Sequence, residues 1–114
     1  MELRVVENTG QYTHVALSGK LDVEGEGKIG TEFEGLTAHA GKATVVDMAG
    51  VTYLASLGIR LLFKCAKSLA AQGQKMVVLS PQPMVEETLM TSGTAQLIPV
   101  ARTLDEALAI LKAG

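Results

Sequence analysis

The chain has 114 residues, of which 47% are hydrophobic, and it carries 10 basic against 12 acidic residues. This length fits one compact domain and is too short for two. The net charge of −2, the lack of tryptophan and the 4% aromatic content argue against nucleic-acid binding, which needs a basic patch or a stacking surface. The only cysteine, Cys65, lies in an apolar periodic segment, so we expect a buried free thiol. No cluster of metal-ligating residues is evident, and we expect no cofactor.

Apolar and polar residues alternate from the first residues of the chain, which is unlike the charged and then apolar start of a secretory signal. No stretch approaches the roughly 20 apolar residues that cross a bilayer. We therefore expect a cytoplasmic protein without membrane insertion.

The first half of the chain predicts a hairpin, a helix and a strand. Two β-rich runs, at residues 3–6 and 13–17, flank a turn containing Asn and Gly, which predicts an antiparallel hairpin. Residues 23–40 predict an amphipathic helix, although four glycines interrupt it. Residues 43–47 are β-branched and apolar and predict a buried central strand, followed by a linker at 48–54. The apolar positions of the helix are Ile29, Phe33, Leu36 and Ala40.

The second half continues the alternation of helices and strands. A helix is predicted over residues 56–72, with Ser56 as its N-cap and Gly73 after its end. A buried strand at 75–79, a helix at 83–92 and a short edge strand at 97–100 follow. Thr103 is the predicted N-cap of the last helix. On the helix after Ser56, the basic residues recur at spacings of four and three residues: Arg60, Lys64 and Lys67.

The order of elements is therefore a β-hairpin followed by α, β, α, β, α, β and α. Alternation of this kind requires crossover connections and a largely parallel sheet covered by helices. We expect a single α/β domain with a mixed, mostly parallel sheet, an antiparallel hairpin at the N-terminus and about four helices.

Several segments in this order resemble the STAS family of bacterial anti-sigma-factor antagonists and the related domains of sulfate transporters. The resemblance covers essentially the whole chain. Its segments are Gly-Lys-Leu-Asp at 19–22, Val-Val-Asp at 45–47, Val-Thr-Tyr-Leu-Ala-Ser-Leu-Gly-Ile at 51–59, and Gln-Gly at 72–73 before the strand Met-Val-Val-Leu at 76–79.

The resemblance implies a role for the start of the helix at residue 56. In the antagonists, a serine in the pattern Asp-Ser-Ser/Thr-Gly is phosphorylated by an anti-sigma factor that is a kinase. The match carries the phosphorylated position to Ser56 and the glycine to Gly58, and it places Asp22 near the phosphorylated serine. This chain departs from the pattern at two positions, where Ala55 replaces the acid and Leu57 replaces the second hydroxyl residue.

The resemblance implies a binding protein rather than an enzyme. Unphosphorylated protein would bind an anti-sigma factor serine kinase of the GHKL ATPase type, and phosphorylation of Ser56 would release it until a serine phosphatase removes the phosphate. The residues alone leave a second role open for Ser56, that of a structural helix cap. The expected partner-binding residues are Tyr53, Leu57, Gly58, Arg60, Leu61 and Lys64.

The departures at Ala55 and Leu57 favour an alternative function. In that case the chain is a STAS subunit that is not phosphorylated and that regulates or supports a transporter ATPase or a sensory complex. Ser56→Ala would then behave as wild type.

Two enzyme motifs are weaker. Residues 25–30 match the dinucleotide pattern G-x-G-x-x-G, but Asp22, Glu24 and Glu26 would repel a pyrophosphate there. Residues 54–58 resemble part of the G-x-S-x-G elbow of hydrolases, yet the first glycine is missing. Both histidines, His14 and His39, precede the serine, whereas that fold places its histidine last.

Overall fold

The computed structural model describes residues 1–113, and all elements follow the expected order. In chain order they are β1 (Glu2–Asn8), β2 (Tyr12–Leu21), α1 (Val23–Leu36), β3 (Ala43–Leu54), α2 (Ser56–Ala71), β4 (Met76–Leu79), α3 (Pro83–Thr91), a short 3-10 helix (Thr94–Gln96), β5 (Val100–Ala101) and α4 (Leu104–Lys112).

The five strands form one sheet in the order β1-β2-β3-β4-β5. β1 and β2 pair antiparallel as the predicted hairpin, and the pairs β2–β3, β3–β4 and β4–β5 are parallel. Each parallel pair is joined by a helical crossover, as such connections require. The predicted fold class, a mixed and mostly parallel sheet with four helices, is confirmed.

Apolar side chains fill both faces of the sheet, but the two faces are covered unequally. The larger cluster joins the sheet to α1, α2 and α3, with Phe33, Leu62 and Leu89 fully or almost fully buried. The smaller cluster lies on the opposite face and joins β3, β4 and β5 to Ala107 of α4. Cys65 is a buried free thiol in the larger cluster, as expected, and burial raises its pKa.

The linker predicted at residues 48–54 is wrong, because β3 continues as a strand to Leu54. This part of β3 pairs with residues 18–21 of β2, which is also longer than predicted. The pairing supplies backbone hydrogen bonds that local sequence does not show, since Ala49 and Gly50 are poor strand formers. Val51 and Leu54 are buried there and anchor the extension in the core.

Two other predicted boundaries are wrong. α1 ends at Leu36 rather than at residue 40. The chain turns at Thr37, whose hydroxyl donates a hydrogen bond to the carbonyl of Phe33 at 2.8 Å. The last strand comprises only Val100 and Ala101, because the N–H groups of Leu97 and Ile98 both donate back to the Thr94 carbonyl of the 3-10 helix and so cannot join the sheet. By contrast, Thr103 caps α4 as predicted, and its hydroxyl accepts a hydrogen bond from the Glu106 N–H at 3.1 Å.

Candidate functional site

The strands β2 and β3 end side by side, and both are followed at once by a helix. Lys20 pairs with Tyr53, and Leu21 pairs with Leu54. The Ala55 N–H then donates a hydrogen bond to the Leu21 carbonyl at 3.0 Å. The starts of α1 and α2 are therefore neighbours at the carboxyl ends of β2 and β3. Asp22 and Ser56 both lie there.

Asp22 is the N-cap of α1. Its carboxylate accepts a hydrogen bond from the Gly25 N–H at 2.9 Å, and its carbonyl accepts one from the Glu26 N–H at 2.8 Å. An acid is favourable at this end of a helix because the free N–H groups and the helix dipole are positive. The Asp22 carboxylate is thus engaged by its own helix, on the chain segment next to α2.

Ser56 is not the N-cap of α2, so that prediction is wrong. Ala55 holds the cap position with an extended backbone, and its carbonyl accepts the hydrogen bond from the Ile59 N–H at 3.0 Å. The cap is therefore one residue earlier than predicted, at Ala55, whose N–H is bound to the Leu21 carbonyl at the end of β2. Ser56 is the first helical residue and is exposed, and its hydroxyl makes no hydrogen bond within residues 1–113.

Gly58 lies in the first turn of α2 and packs directly on Leu21. A Cβ atom at this position would lie 2.6 Å from the Leu21 carbonyl oxygen and 2.6 Å from its Cγ. Only a glycine allows α2 to begin this close to β2. Gly58 is therefore a positioning residue for the start of the helix, and being buried it offers little surface to a partner.

The remaining predicted contact residues divide by exposure. The Tyr53 side chain is 53% exposed at the end of β3, Arg60 is exposed, and Leu57 is half-buried. Leu61, also an expected partner-binding residue, is only 4% exposed and so is not available as a surface contact. It belongs to the core cluster because α1 packs against its side of α2.

A shallow groove of about 110 Å³ runs between α1 and α2, beginning one residue beyond Ser56. Its α1 wall is acidic and its α2 wall is basic. Lys64 forms an ion pair with Glu34 across the groove, with Nζ 2.9 Å from Oε1, and this hydrogen bond raises the pKa of Lys64. Arg60 has no ion-pair partner within residues 1–113. The lining residues are Glu26, Glu34, Leu57, Arg60, Leu61 and Lys64.

Sequence reasoning missed Glu26 and Glu34 as parts of this site. They lie eight residues apart on α1 with Gly30 midway, so they share one side of the helix. An acidic stripe of this spacing is the complement of the basic stripe at Arg60 and Lys64. Comparing the two stripes could have identified these glutamates from the sequence, but only if α1 and α2 were known to be neighbours.

The enzyme motifs lie in unsuitable places. The glycine motif at residues 25–30 is inside α1 rather than in a loop before it, and the N–H of Gly25 is already bound by Asp22. His14 lies on β2 seven residues before Leu21. This places it roughly 23 Å along the strand from the end of β2, where α2 begins. It is 6% exposed, and burial lowers its pKa. His39 is exposed in the turn after α1.

No three His, Cys, Asp or Glu side chains converge as metal ligands anywhere in residues 1–113. In the same part of the chain, no helix has the length and apolar character needed to cross a membrane.

The sequence is similar to that of a known protein over part of its length. BtrV of Bordetella bronchiseptica, which is named as an anti-sigma factor antagonist, is 30% identical over 71 residues, or 62% of this chain. The aligned part spans 61% of the length of that relative.

Solved structures share the fold at low sequence identity. A Thermotoga maritima protein described as an anti-sigma factor antagonist superposes with a TM-score of 0.83 at 15% identity, covering 98% of this chain and 94% of the other. Unphosphorylated SpoIIAA, an anti-sigma factor antagonist of Bacillus, superposes with a TM-score of 0.79 at 19% identity, covering 97% and 96%. The sequence model of the STAS domain matches residues 2–107. The chain belongs to the STAS domain family.

Proposed function

We propose that this chain is a cytoplasmic anti-sigma-factor antagonist that acts by partner switching at Ser56. With Ser56 unmodified, it binds an anti-sigma factor that is a serine kinase of the GHKL ATPase type. The kinase phosphorylates Ser56 and releases the chain, and a serine phosphatase restores the binding form. The chain itself catalyses no reaction and needs no cofactor or metal, since its work is to bind.

The state of the Ser56 hydroxyl is the observation that carries this proposal. A serine at the start of a helix ordinarily serves as its cap, but here Ala55 occupies the cap position without a side-chain hydrogen bond. The exposed Ser56 hydroxyl has no structural task within residues 1–113. The hydroxyl is accessible to a kinase. A capping role does not explain why a serine stands at this position, because Ala55 is the cap.

Phosphorylation at this position changes the surface and preserves the fold. A phosphoserine adds about −1.5 to −2 charges at neutral pH. In the first turn of α2 the helix dipole and free N–H groups favour that charge. A partner packed on the neighbouring Tyr53 and Leu57 would have to desolvate the phosphate, which opposes binding.

The partner surface that we propose consists of Tyr53 and Leu57 as apolar contacts and Arg60 as a charged anchor. Gly58 places the helix start, and Lys64, held by Glu34, borders the groove. Leu61 forms the floor of the groove and contributes packing rather than an exposed contact. Asp22 supports the site by fixing the start of α1 beside α2.

A substitution at Ser56 tests the switch. Ser56→Asp is expected to weaken kinase binding at least tenfold, or about 1.4 kcal/mol, while thermal stability is retained because an acid is favourable in the first turn of α2. Paired pull-downs from native lysate with wild-type and Ser56→Asp baits, analysed by mass spectrometry and followed by titration calorimetry, measure this.

Ser56→Ala is the matched control, since it removes the hydroxyl without adding charge. It should retain the kinase and lose phosphate incorporation. Recovery of the same non-kinase partner by all three baits would reject the switch. It would favour the alternative that the Ala55 and Leu57 departures support, a constitutive STAS subunit of a transporter ATPase or a sensory complex.

A charge reversal tests the anchor. Arg60→Glu is expected to weaken kinase binding by about tenfold, mainly through slower association at low salt, because it reverses an unpaired charge on the proposed surface. The control is Lys67→Glu, which makes the same charge change on α2. Lys67 lies about 16 Å along the helix from Ser56, compared with about 6 Å for Arg60. Surface plasmon resonance at two salt concentrations compares them, and equal effects would remove Arg60 from the proposed surface.

A further inference from the structure

The strand β1 forms one edge of the sheet and pairs with β2 alone. Within residues 1–113, no backbone hydrogen bond to another element is made on its outer side. Val5 and Val6, in the middle of the strand, are 43% and 42% exposed. Free strand edges with apolar side chains are templates for pairing with another strand.

The register of the hairpin shows which side chains of β1 share a face. Arg4 is opposite Ala16, and Glu7 is opposite His14. Ala16 and His14 are two residues apart on β2, so Arg4 and Glu7 lie on the same face of the sheet. Val5 is opposite Val15, which belongs to the core under the helices, and therefore lies on the other face.

The strand sequence Glu-Leu-Arg-Val-Val-Glu-Asn is complementary to itself in one antiparallel register. Placing Arg4 opposite Glu7 of a second copy also places Val5 opposite Val6 of that copy, and the two-fold axis repeats both pairs. The charged pairs fall on one face and the valines lie between them. A shift of one residue in either direction puts Arg4 opposite Val6 or Asn8 and loses both charged pairs.

The irregularity in β1 fits this arrangement. The pairing of β1 with β2 shifts between Val5 and Glu7, which leaves Val6 without a partner on β2. In the self-complementary register the two-fold axis passes between Val5 and Val6, so the irregular segments of the two copies face each other. Glu7 accepts a hydrogen bond from the Tyr12 hydroxyl through Oε1, which leaves Oε2 for Arg4 of the second copy.

We propose that the occupant of this edge is a second copy of the chain, with β1 paired antiparallel to β1, Arg4 opposite Glu7 and Val5 opposite Val6. The dimer extends the sheet across its axis. None of its residues belongs to the groove or to the surface proposed for the kinase, so the inference does not depend on the proposed function. Stable interfaces bury about 1,200 Å² or more, and two seven-residue edges bury less, so the dimer is weak and depends on concentration.

Sedimentation velocity from micromolar to millimolar concentration tests the pairing. Wild type is expected to shift from monomer to dimer. Arg4→Glu or Glu7→Arg alone should raise the dimer dissociation constant about tenfold, since each change opposes like charges at two symmetric positions. Glu2→Arg is the matched control. It makes the same charge change as Glu7→Arg on the same strand but outside the pairs, and it should dimerise as wild type does.

Mixing distinguishes the register. Arg4→Glu protein mixed with Glu7→Arg protein should form a heterodimer, because glutamate then faces arginine at both pairs, and the double variant Arg4→Glu/Glu7→Arg should dimerise with itself. Circular dichroism confirms that each variant is folded. A wild type that stays monomeric up to millimolar concentration, or a mixture that fails to associate, overturns the proposal.

Discussion

Replacing Gly58 with alanine is expected to lower the free energy of unfolding by about 3 kcal/mol and to weaken kinase binding as well. The added Cβ would lie 2.6 Å from both the carbonyl oxygen and the Cγ of Leu21. A side chain can rotate away from such a clash, but the carbonyl belongs to the end of β2. It also accepts the hydrogen bond from the Ala55 N–H, so relief of the clash breaks that bond and moves Ser56.

Urea denaturation monitored by circular dichroism measures the change in stability. Gly35→Ala is the control, because Gly35 lies inside α1 with nothing within 4 Å of an added Cβ. There the alanine is expected to stabilise by about 1 kcal/mol. If Gly58→Ala were as stable as wild type, α2 would not begin in contact with Leu21, and the placement of Ser56 would need revision.

The sequence was most informative where a structural feature depends on neighbours along the chain. The cap at Thr103 needs only its own hydroxyl and the N–H three residues later. The hairpin needs a turn between two β-rich runs. The alternation of strands and helices likewise follows from local periodicity, so the order of elements and the class of fold could be predicted.

Features that depend on distant pairing were missed. The second half of β3 is a strand because it pairs with residues 18–21 of β2, and its own sequence, with Ala49 and Gly50, is typical of a linker. At the end of that extension the Ala55 N–H bonds to the Leu21 carbonyl of β2, and Ala55 rather than Ser56 holds the cap position of α2.

The site shows the same limit. Arg60 and Tyr53 are exposed, but Leu61 is buried because α1 covers that side of α2. The pairing of Lys64 with Glu34 joins residues 30 positions apart in the chain. Periodicity on α2 alone gives the face on which a residue lies, but not which neighbouring element covers that face.

Gly25→Ala and Gly27→Ala, two substitutions in the same helix, are expected to change stability in opposite directions. At Gly25 an added Cβ would lie 2.1 Å from the carbonyl oxygen of Lys20, so the start of α1 must move away from β2. We expect a loss of about 3 kcal/mol or more. At Gly27 nothing lies within 4 Å, and alanine should stabilise the helix by about 1 kcal/mol.

The contrast between these two variants tests how the site is built. Both α1 and α2 begin against the last two residues of β2, α1 through Gly25 on Lys20 and α2 through Gly58 on Leu21. Because that short backbone segment supports both helix starts, displacing α1 should also disturb the groove and Ser56. Gly25→Ala is therefore expected to reduce kinase binding under conditions where it remains folded, while Gly27→Ala binds as wild type does. Equal unfolding free energies for the two variants, measured in urea, would contradict the close packing of α1 on β2.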